Sequence, residues 1–320
     1  MFGQNKGKSP QSIGFLLLPQ FSLIAFTASI EPLRSANRLS RQHLYNWTTI
    51  SFDGLPVEAS NLVTITPDCA LKHAKNCDVI FACAGVQPLK NVPNGLAGEL
   101  RALARTGLPL GSVCTGSVAL AKAGLLDGHR CTIHWENIET FAETFPDLEI
   151  TATLFEIDRK RYTCSGGTAP LDMMIYSIKL DHGETLALNV AEQMLLNFVR
   201  EPDERQRMAI EYRTGIKHPK LLAAISLMEA HIETPLTLVE LSGKVDLSIR
   251  QLERLFNSHV NLTPAKYYLD IRIKRARQYL RQSPLTITEI GIATGFSSAS
   301  HFTQVYKAHF GHPPSKERQN

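Results

Sequence analysis

One helix-turn-helix pattern occurs twice near the C-terminus, and it constrains the fold more than any other feature of the sequence. Residues 248–264 read SIRQLERLFNSHVNLTP and residues 298–314 read SASHFTQVYKAHFGHPP, which align with an offset of 50. Apolar residues at positions i, i+4 and i+8 mark one buried helical face in each copy. A shorter apolar segment precedes each copy, and two helices joined by a short turn form a helix-turn-helix unit. We therefore predict two repeats, at about 237–258 and 286–309.

A single long helix is predicted between the two repeats. The segment 263–282 reads TPAKYYLDIRIKRARQYLRQ, with Leu269, Ile273, Ala276 and Leu280 at helical spacing. Twenty residues of helix span about 30 Å, and one turn of B-DNA measures about 34 Å. Two recognition helices held by this connection could therefore enter successive major grooves. The alternative is a six-helix bundle in which the repeats serve only packing.

The distribution of charge favours DNA binding over that alternative. From residue 217 to the end there are 14 Lys and Arg against 8 Asp and Glu, a net charge of +6. The preceding 216 residues hold 20 and 22, a net charge of −2. A basic segment beside a mildly acidic one is expected of a nucleic-acid-binding module. We predict an all-α DNA-binding domain over 217–320.

Contacts to DNA are predicted on the polar faces of these helices. Arg can bind guanine, and Gln adenine, with two hydrogen bonds each. The predicted base contacts are Arg250, Gln251 and Arg254 in the first repeat and Ser300, His301 and Gln304 in the second. Phosphate contacts position a protein without specifying sequence, and they are predicted for Lys274, Arg275, Arg277 and Lys307. Because the first repeat offers two arginines, we expect it to supply more affinity, and the second repeat to supply register and packing.

The last hundred residues resemble the DNA-binding domain of the AraC/XylS family of bacterial transcription regulators. The second repeat carries that family's most specific signature, here ITEIGIATGFSSASHFTQVYKAHFGHPPSKER. One departure is Glu317, where the family pattern usually has an aromatic residue before Arg318, and it concerns the local packing of the C-terminal tail. The resemblance implies double-stranded promoter DNA and RNA polymerase as partners.

The first part of the chain alternates strands with helices, which predicts an α/β domain with a mostly parallel sheet. Short apolar runs bounded by turn residues are typical of buried parallel strands. The predicted strands are 12–18, 47–52, 78–83, 108–113, 129–132, 149–157 and 161–165, and the predicted helices are 21–39, 95–105, 115–123, 167–181 and 184–199. Residues 200–207 read REPDERQR and predict a linker over 200–216. The α/β domain is thus predicted at 12–199, after a disordered tail at 1–11.

The most specific feature of this part is GSVCTGS at 111–117. A strand runs into small residues, then Cys114, then a helix, which is the pattern of a nucleophile elbow. At such a position we expect the helix dipole to lower the pKa of the thiol and free backbone N–H groups to hold an anion. His134 and Trp135 follow a later strand, and Glu31 lies on the first helix.

These residues resemble the ThiJ/PfpI-type branch of the class I glutamine-amidotransferase-like superfamily, which implies a flavodoxin-like fold. They are most similar to the GlxA-type subset, in which such a domain precedes an AraC-type domain. The matching segments are EPLRSAN (31–37), CTGSVALAKAGLLDG (114–128), TIHW (132–135) and GGTAPLDMM (166–174). The resemblance implies a domain that senses small molecules rather than converting them, and relatives of this subset commonly respond to amino acids or to methylated amines such as betaine and carnitine.

A ligand site is therefore predicted from Glu31, Cys114, Thr115, His134 and Trp135. Glu31 could pair with a cationic group, Trp135 could stack on it, and amides near Cys114 and Thr115 could hold a carboxylate. Catalysis is the alternative, since a nucleophilic Cys114 would need a base within about 3 Å and only His134 is a candidate. That protein would be a DNA-tethered thiol enzyme, an amidase or glyoxalase-like. A buried cysteine with a purely structural role is the third alternative, which the flanking Gly and Ser disfavour. We interpret Cys114 and His134 as vestigial.

The leading hypothesis is a ligand-responsive transcription regulator, an activator of genes for amino-acid or quaternary-amine catabolism. A constitutive architectural DNA-binding protein, whose first half only dimerises, is a further alternative. A homodimer is expected because paired sites multiply affinity through effective concentration. No cofactor is expected.

Cysteine usage and hydropathy indicate the compartment. All six cysteines lie in the predicted α/β domain, without CxxC pairs or zinc-like spacing, which indicates reduced thiols in the cytoplasm and no metal site. No segment reaches the roughly 18 uninterrupted apolar residues of a membrane span. Pro19 and Gln20 divide the apolar run that follows Lys6 and Lys8, which argues against a signal peptide.

Overall fold

The computed structural model describes residues 10–74, 76–283 and 285–318. Within them the chain forms two compact units, and it passes from the first to the second between Gln206 and Arg207. The first is called the α/β unit and the second the helical unit. The tail predicted at 1–11 lies outside the described residues except for its last two, and Gln11 is the first residue of a strand.

The α/β unit is built on a seven-stranded sheet. Its described residues form β1 (Gln11–Leu17), β2 (Tyr45–Ser51), β3 (Val57–Glu58), β4 (Thr64–Ile65), β5 (Cys69–Ala70), β6 (Val79–Cys83), β7 (Leu110–Val113), β8 (Arg130–Thr132), β9 (Glu149–Thr151), β10 (Phe155–Asp158) and β11 (Arg161–Cys164). The main sheet has the order β10-β11-β7-β6-β1-β2-β5, and its neighbouring strands are parallel except β10 and β11. The predicted α/β fold with a mostly parallel sheet is confirmed.

Helices cover both faces of this sheet. They are α1 (Leu23–Ser40), α2 (Pro88–Asn91), α3 (Leu96–Arg105), α4 (Ser117–Lys122), α5 (Ile138–Thr144), α6 (Ala169–His182) and α7 (Glu184–Gln193). One apolar cluster packs α1, α6 and α7 on the sheet through residues such as Leu33 and Val190, and a second packs α3, α4 and α5 through Leu100, Val118 and Phe141. Because β1 and β6 are buried on both faces, their sequences are nearly continuous apolar runs.

Two predicted elements are shorter in the structure. The strand predicted at 149–157 is divided: β9 pairs with β8 in a separate small sheet, and β10 pairs with β11. Between them the backbone N–H of Leu154 donates to the carbonyl oxygens of Pro202 and Glu204 at 3.1 and 3.0 Å, so a distant segment takes the place of the strand partner. The helix predicted at 184–199 ends at Gln193, since Leu195 has a positive φ of 57°.

Residues 200–206, here called the connecting segment, are bonded to the α/β unit, whereas the sequence predicted a linker there. At one end the guanidinium of Arg200 donates to the buried carboxylate of Asp172 at 2.6 Å. At the other end the side-chain amide of Gln206 donates to the Thr132 hydroxyl oxygen and to the carbonyl oxygens of residues 133 and 153, at 2.9, 2.9 and 2.8 Å. The charged composition of this segment therefore reflects ion pairing as well as solvation.

The helical unit contains both predicted repeats. Its described residues form α8 (Ile210–Thr214), α9 (Pro219–Ala230), α10 (Leu238–Lys244), α11 (Ile249–Val260), α12 (Pro264–Gln282), α13 (Ile287–Ala293), α14 (Ala299–Phe310) and α15 (Pro314–Glu317). Helices α10 and α11 form the first repeat, α13 and α14 form the second, and α12 connects them. Each repeat has its own apolar core, and α12 contributes Tyr268 to the first core and Ile273 to the second.

A membrane span is not among these elements. Across the described ranges, no helix combines the length and the apolar character that crossing a bilayer requires.

Candidate nucleic-acid interface and ligand site

The helices of the two repeats begin with the same kind of hydrogen-bonded cap. A side-chain oxygen accepts the backbone N–H three residues later, and in three of the four helices the residue at that later position accepts the N–H of the cap in return. These reciprocal pairs are Thr237 with Glu240, Ser248 with Gln251, and Thr286 with Glu289. At the fourth helix, Ser298 Oγ accepts the backbone N–H of His301 at 3.2 Å. Such caps satisfy backbone donors that a helix leaves unpaired, at about 1 kcal/mol each, and they start α11 and α14 at equivalent positions.

Helix α11 presents two arginines to solvent. It buries Leu252 and Phe256 and exposes Arg250 and Arg254 on the other side. In the described part of the chain, neither guanidinium takes part in a hydrogen bond or an ion pair. Both are therefore free to bind base edges, as the sequence predicts.

Gln251 has a structural role that the sequence did not predict. Its side-chain carbonyl oxygen accepts the backbone N–H of Ser248 at 2.8 Å, which completes the cap of α11 and helps to fix the start of this helix. A two-bond contact with adenine would use that same oxygen and the side-chain NH2 group. The base contact of Gln251 stays a prediction.

Helix α14 presents mostly uncharged side chains. Ser300, His301, Gln304 and Lys307 are all exposed, while Phe302 and Tyr306 are buried. The His301 ring lies 5.7 Å from the ring of Phe296, centroid to centroid. The two repeats thus differ in charge at equivalent positions, and the larger contribution expected of the first repeat stays a prediction.

The basic residues of α12 divide into exposed and partly buried groups. Lys274 is exposed and pairs with Asp270 at 2.7 Å. Arg275 is partly buried, and burial lowers the pKa of its guanidinium. Arg277 donates from Nε to Glu317 at 3.0 Å and lies 4.6 Å from the centroid of the Phe310 ring. Like Lys274, Arg277 is thus paired with an acid inside the unit while part of its side chain stays exposed, and the phosphate contact predicted for it stays a prediction.

Glu317 is a structural residue that the sequence did not reveal. Its side chain is 3% exposed and accepts hydrogen bonds from Arg277 at 3.0 Å, from Arg281 at 2.6 Å and from the Tyr306 hydroxyl at 2.9 Å. His312 Nε2 lies 3.3 Å from the same carboxylate. This network joins α12, α14 and α15. Two features of the sequence could have predicted this network. They are the acidic residue at 317, where the family pattern has an aromatic one, and the two arginines, Arg277 and Arg281, one helical turn apart on α12.

Arg272 was also missed, and it ties α12 to the turn of the second repeat. Its guanidinium donates to the carbonyl oxygens of Thr294 and Gly295 at 2.8 and 2.5 Å and lies 4.5 Å from the centroid of the Phe296 ring. The turn TGF, which carries one residue more than the turn of the first repeat, is thus held from α12. Nothing in the local pattern distinguishes Arg272 from the other basic residues of that helix.

The turn after β7 has the geometry of the predicted elbow. Cys114 has a φ of +60°, in a region that non-glycine residues rarely adopt. A Cβ at Gly116 would lie 1.9 Å from the carbonyl oxygen of Ala82, so only glycine fits there. The Thr115 hydroxyl donates to the Gly85 carbonyl oxygen at 2.7 Å and ties the elbow to the chain after β6.

The elbow thiol is not activated. Burial raises the pKa of Cys114 to about 12; the backbone N–H of Thr115 opposes this shift and the charge of Glu136 adds to it. The lowered pKa expected from the sequence was wrong, because the thiol is 7% exposed and α4 has only six residues. At neutral pH the group is a thiol and not a thiolate.

His134 is partly buried and lies beside Trp135. Its Nδ1 accepts the backbone N–H of Glu136 at 3.4 Å, and the His134 and Trp135 ring centroids are 5.6 Å apart. Burial lowers the pKa of His134, and the charge of Glu136 opposes this shift. Within the described residues no hydrogen bond joins His134 to Cys114, and no group of three His, Cys, Asp or Glu side chains is arranged to hold a metal ion.

Glu31 is engaged elsewhere. Its carboxylate pairs with Arg34 at 2.7 Å on the exposed side of α1. The residue lies about 12 Å along that helix from its first residue, Leu23. The structure therefore brings Cys114 together with Thr115, and His134 together with Trp135, but in the described chain no hydrogen bond or ion pair joins Glu31 to either group.

The chain matches two protein families in sequence. Residues 11–180 match the DJ-1/PfpI family, and residues 241–320 match a helix-turn-helix domain family. These regions fall in the α/β unit and the helical unit respectively.

Relatives extend the similarity to the whole chain. The chain is 45% identical to the HTH-type transcriptional regulator GbdR of Pseudomonas aeruginosa, over 98% of this chain and 86% of the relative. It is 37% identical to the HTH-type transcriptional regulator GlxA of Rhizobium meliloti, over 100% of this chain and 99% of the relative. A solved structure of an AraC family transcriptional regulator from Pseudomonas putida superposes with a TM-score of 0.53 and 28% identity, covering 58% of this chain and 100% of that chain.

Proposed function

Because the chain belongs to the family of DNA-binding transcriptional regulators that join a DJ-1/PfpI domain to an AraC-type helix-turn-helix domain, we propose that a small molecule bound by its α/β unit controls transcription. The observation that supports this most directly is the burial of Cys114, which raises the pKa of its thiol, together with the absence among the described residues of a hydrogen bond to His134. A thiol nucleophile needs an adjacent base or a lowered pKa. An elbow with neither favours binding over turnover, so we propose that the protein is not an enzyme.

At the DNA end, we propose that Arg250 and Arg254 read bases in one major groove. Ser300, His301 and Gln304 of α14 would enter a second groove, and Lys274 and Lys307 would contact phosphates. Nineteen residues of α12 span about 28 Å, close to one helical turn of DNA. The exposure of both arginines without protein partners supports this assignment.

For the biological role, we propose an activator of genes for the breakdown of an amino acid or a methylated amine. The chemical class of the ligand is taken from what the family resemblance implies. It includes a homodimer that acts in the cytoplasm on promoter DNA together with RNA polymerase, because two linked sites raise affinity through effective concentration.

A thermal-shift screen of the full chain against amino acids and quaternary amines tests ligand control. A ligand at one hundred times its Kd adds about 2.7 kcal/mol to the free energy of unfolding. We expect one chemical class to stabilise the chain and to change its affinity for DNA selected from a random duplex library. Stabilisation by none of the compounds, with intact binding of the selected DNA, would favour a constitutive DNA-binding protein instead.

The Cys114→Ala variant tests the absence of catalysis. We expect ligand binding and ligand-dependent DNA binding to persist in this variant, because a buried thiol that is not a nucleophile can be replaced by the smaller methyl group of alanine without loss of a reacting atom. Consumption of the ligand by the parent chain, abolished in Cys114→Ala, would show that the protein is a thiol enzyme.

A further inference from the structure

The two helix-turn-helix repeats have one basic position in common, and it lies outside the predicted DNA contacts. With the offset of 50 that aligns them, Lys266 corresponds to Lys316. Within 248–266, every other Lys or Arg of the first repeat has an uncharged residue at the equivalent position of the second, as Arg254 has Gln304. The repeats have thus diverged in charge where base contacts are predicted and have kept a positive charge at one other place.

Both lysines occupy the same place relative to the helix before them. The recognition helices α11 and α14 are each followed by a residue of positive φ, Asn261 at 54° and Gly311 at 78°. Three residues later the next helix begins with a buried proline, and the lysine is the third residue of that helix. The backbone N–H of each lysine donates to the residue three positions earlier, at 3.3 and 3.1 Å. The duplicated position is therefore duplicated in structure as well as in sequence.

Both ammonium groups are available to a ligand. Lys266 and Lys316 are exposed, and among the described residues neither side chain forms a hydrogen bond or an ion pair. Lys274 and Arg277, by contrast, already pair with carboxylates of the helical unit. Lys266 and Lys316 can thus bind an anion without breaking an ion pair inside the protein.

The shape of DNA gives a reason to retain one position and not the others. Its sugar-phosphate backbone repeats with every helical turn, whereas its base sequence does not, so two units in successive grooves meet equivalent phosphates and different bases. Helices α11 and α14 have twelve residues each and are about 18 Å long, which exceeds the roughly 12 Å width of the major groove. Because the N-terminal residues of a recognition helix contact bases, the turn after the helix lies toward the edge of the groove, where the phosphates are.

We infer that Lys266 and Lys316 bind two phosphates of the duplex, about one helical turn apart, and hold the two repeats in register on it. The inference rests on the proposed placement of α11 and α14 in successive major grooves. Phosphate contacts carry no sequence information. The two lysines therefore set where the protein lies on the duplex and not which bases it prefers.

Fluorescence anisotropy of the full chain with selected and random duplexes, over a range of salt concentrations, tests the inference. Lys266→Ala and Lys316→Ala should each reduce the slope of log Kd against log salt by about 0.9, and the double variant by about 1.8. Both duplexes should weaken by the same factor. An unchanged slope in the double variant would overturn the inference.

Lys90→Ala is the matched control. Lys90 is exposed and, like the two lysines, is the third residue of a helix that begins with proline, but this helix is α2 of the α/β unit. Its substitution removes the same charge from the chain and should leave the salt slope unchanged. A slope lowered as much by Lys90→Ala as by Lys266→Ala would mean that net charge, and not a phosphate contact, explains the effect.

Uncharged methylphosphonates, placed one at a time along the selected duplex, locate the two contacts. Neutralising the phosphate bound by Lys266 should weaken binding of the parent chain and leave binding of Lys266→Ala unaffected. The phosphate identified in the same way for Lys316 should lie about 10 base pairs away. Two phosphates at an unrelated spacing, or no position that distinguishes a variant from the parent, would contradict the inference.

The outcomes separate this inference from the proposed base contacts. If the lysine variants leave the salt slope unchanged while Arg254→Ala still weakens the selected duplex more than random DNA, the base contact stands and the phosphate contacts fail. If the two phosphates are found one turn apart while Arg254→Ala weakens both duplexes alike, the phosphate contacts stand and the base contact fails.

Discussion

The guanidinium of Arg254 has no partner in the described chain, and α11 carries it on the face opposite Leu252 and Phe256. A two-bond contact with a base contributes about 1–3 kcal/mol of discrimination. We therefore expect Arg254→Ala to weaken binding of selected DNA by about 5- to 150-fold and binding of random DNA far less. Fluorescence anisotropy with both duplexes measures this difference.

Lys307→Ala is the contrasting variant for that measurement. Loss of a phosphate contact weakens both duplexes alike and reduces the slope of log Kd against log salt by about one. If Arg254→Ala behaved in the same way, Arg254 would be a backbone contact and not a base contact.

Glu317 should matter to stability rather than to base recognition. Its carboxylate is buried and accepts from Arg277, Arg281 and Tyr306. Arg277 and Arg281 are 36% and 54% exposed, so water can recover part of their solvation when the acid is removed. We expect Glu317→Ala to lower the free energy of unfolding of the helical unit by about 1–3 kcal/mol.

Urea unfolding followed by two signals isolates that effect. Trp47 and Trp135 are the two tryptophans of the sequence and lie in the α/β unit, so tryptophan fluorescence reports on that unit alone. The far-ultraviolet circular dichroism transition of the helical unit should shift to lower urea in Glu317→Ala, and the fluorescence transition should not. An unchanged circular dichroism transition would show that the network adds no net stability.

At the scale of elements, two glycines of the α/β unit offer a matched pair. A Cβ at Gly116 would meet the backbone of Ala82 at 1.9 Å, whereas a Cβ at Gly98, inside α3, meets nothing within 4 Å. Gly116→Ala should destabilise the unit by about 3 kcal/mol or more, because strand backbone cannot move aside. Gly98→Ala should stabilise it by up to about 1 kcal/mol, since alanine favours helix. Urea unfolding by tryptophan fluorescence compares the two, and similar effects would contradict the strand-to-helix geometry of the elbow.

Local periodicity explains which elements the sequence predicts well. The strands β1 and β6 and the helices α11, α12 and α14 follow from apolar spacing within short windows, and the structure has them within a few residues of the predicted bounds. The predicted strand at 149–157 fails because its partner bonds come from Pro202 and Glu204, about fifty residues away. The pattern of apolar residues within 149–157 does not predict a hydrogen bond to a segment so far along the chain.

Among the site residues, too, the sequence predicts what depends on one helix and misses what depends on tertiary packing. Exposure of Arg250 and Arg254 follows from the helical face on which they lie, and the sequence predicts it. The pairing of Arg277 with Glu317, 40 residues later, depends on tertiary packing. The spacing of residues along one helix or strand predicts which side chains share a face. The packing of elements against one another decides which of those side chains remain free to bind a ligand or DNA.

For the molecule as a whole, the six cysteines make the two units respond differently to alkali. All six lie in the α/β unit, and burial raises the pKa of Cys114, Cys131 and Cys164 to about 12. Thiols of the unfolded chain ionise near pH 8.5. A folded pKa above the unfolded value gives stability that is complete below about pH 8.5 and is lost as the pH rises toward 12.

We therefore expect the α/β unit to lose stability between pH 8 and 10, by up to about 1.4 kcal/mol per thiol for each pH unit above the unfolded pKa. The helical unit has no cysteine, and its tyrosines ionise only above about pH 10 when unfolded. Urea midpoints measured by fluorescence should fall over this range. Circular dichroism records the helices of both units, so its component that coincides with the fluorescence transition should fall as well, and the component of the helical unit should stay constant. A parallel decline of both components would mean that the thiols are not responsible.

The carboxylate of Glu317 also constrains how this chain can change over evolutionary time. It is hydrogen-bonded to arginines at 277 and 281, at 3.0 and 2.6 Å, where the family pattern would place an aromatic ring at 317. An aromatic residue at 317 alone would leave two neighbouring cations without their counter-ion, and loss of either arginine alone would leave a buried acid underpaired. We therefore expect substitutions at these three positions to have non-additive effects on stability, so that a change at one is tolerated best when the others change with it.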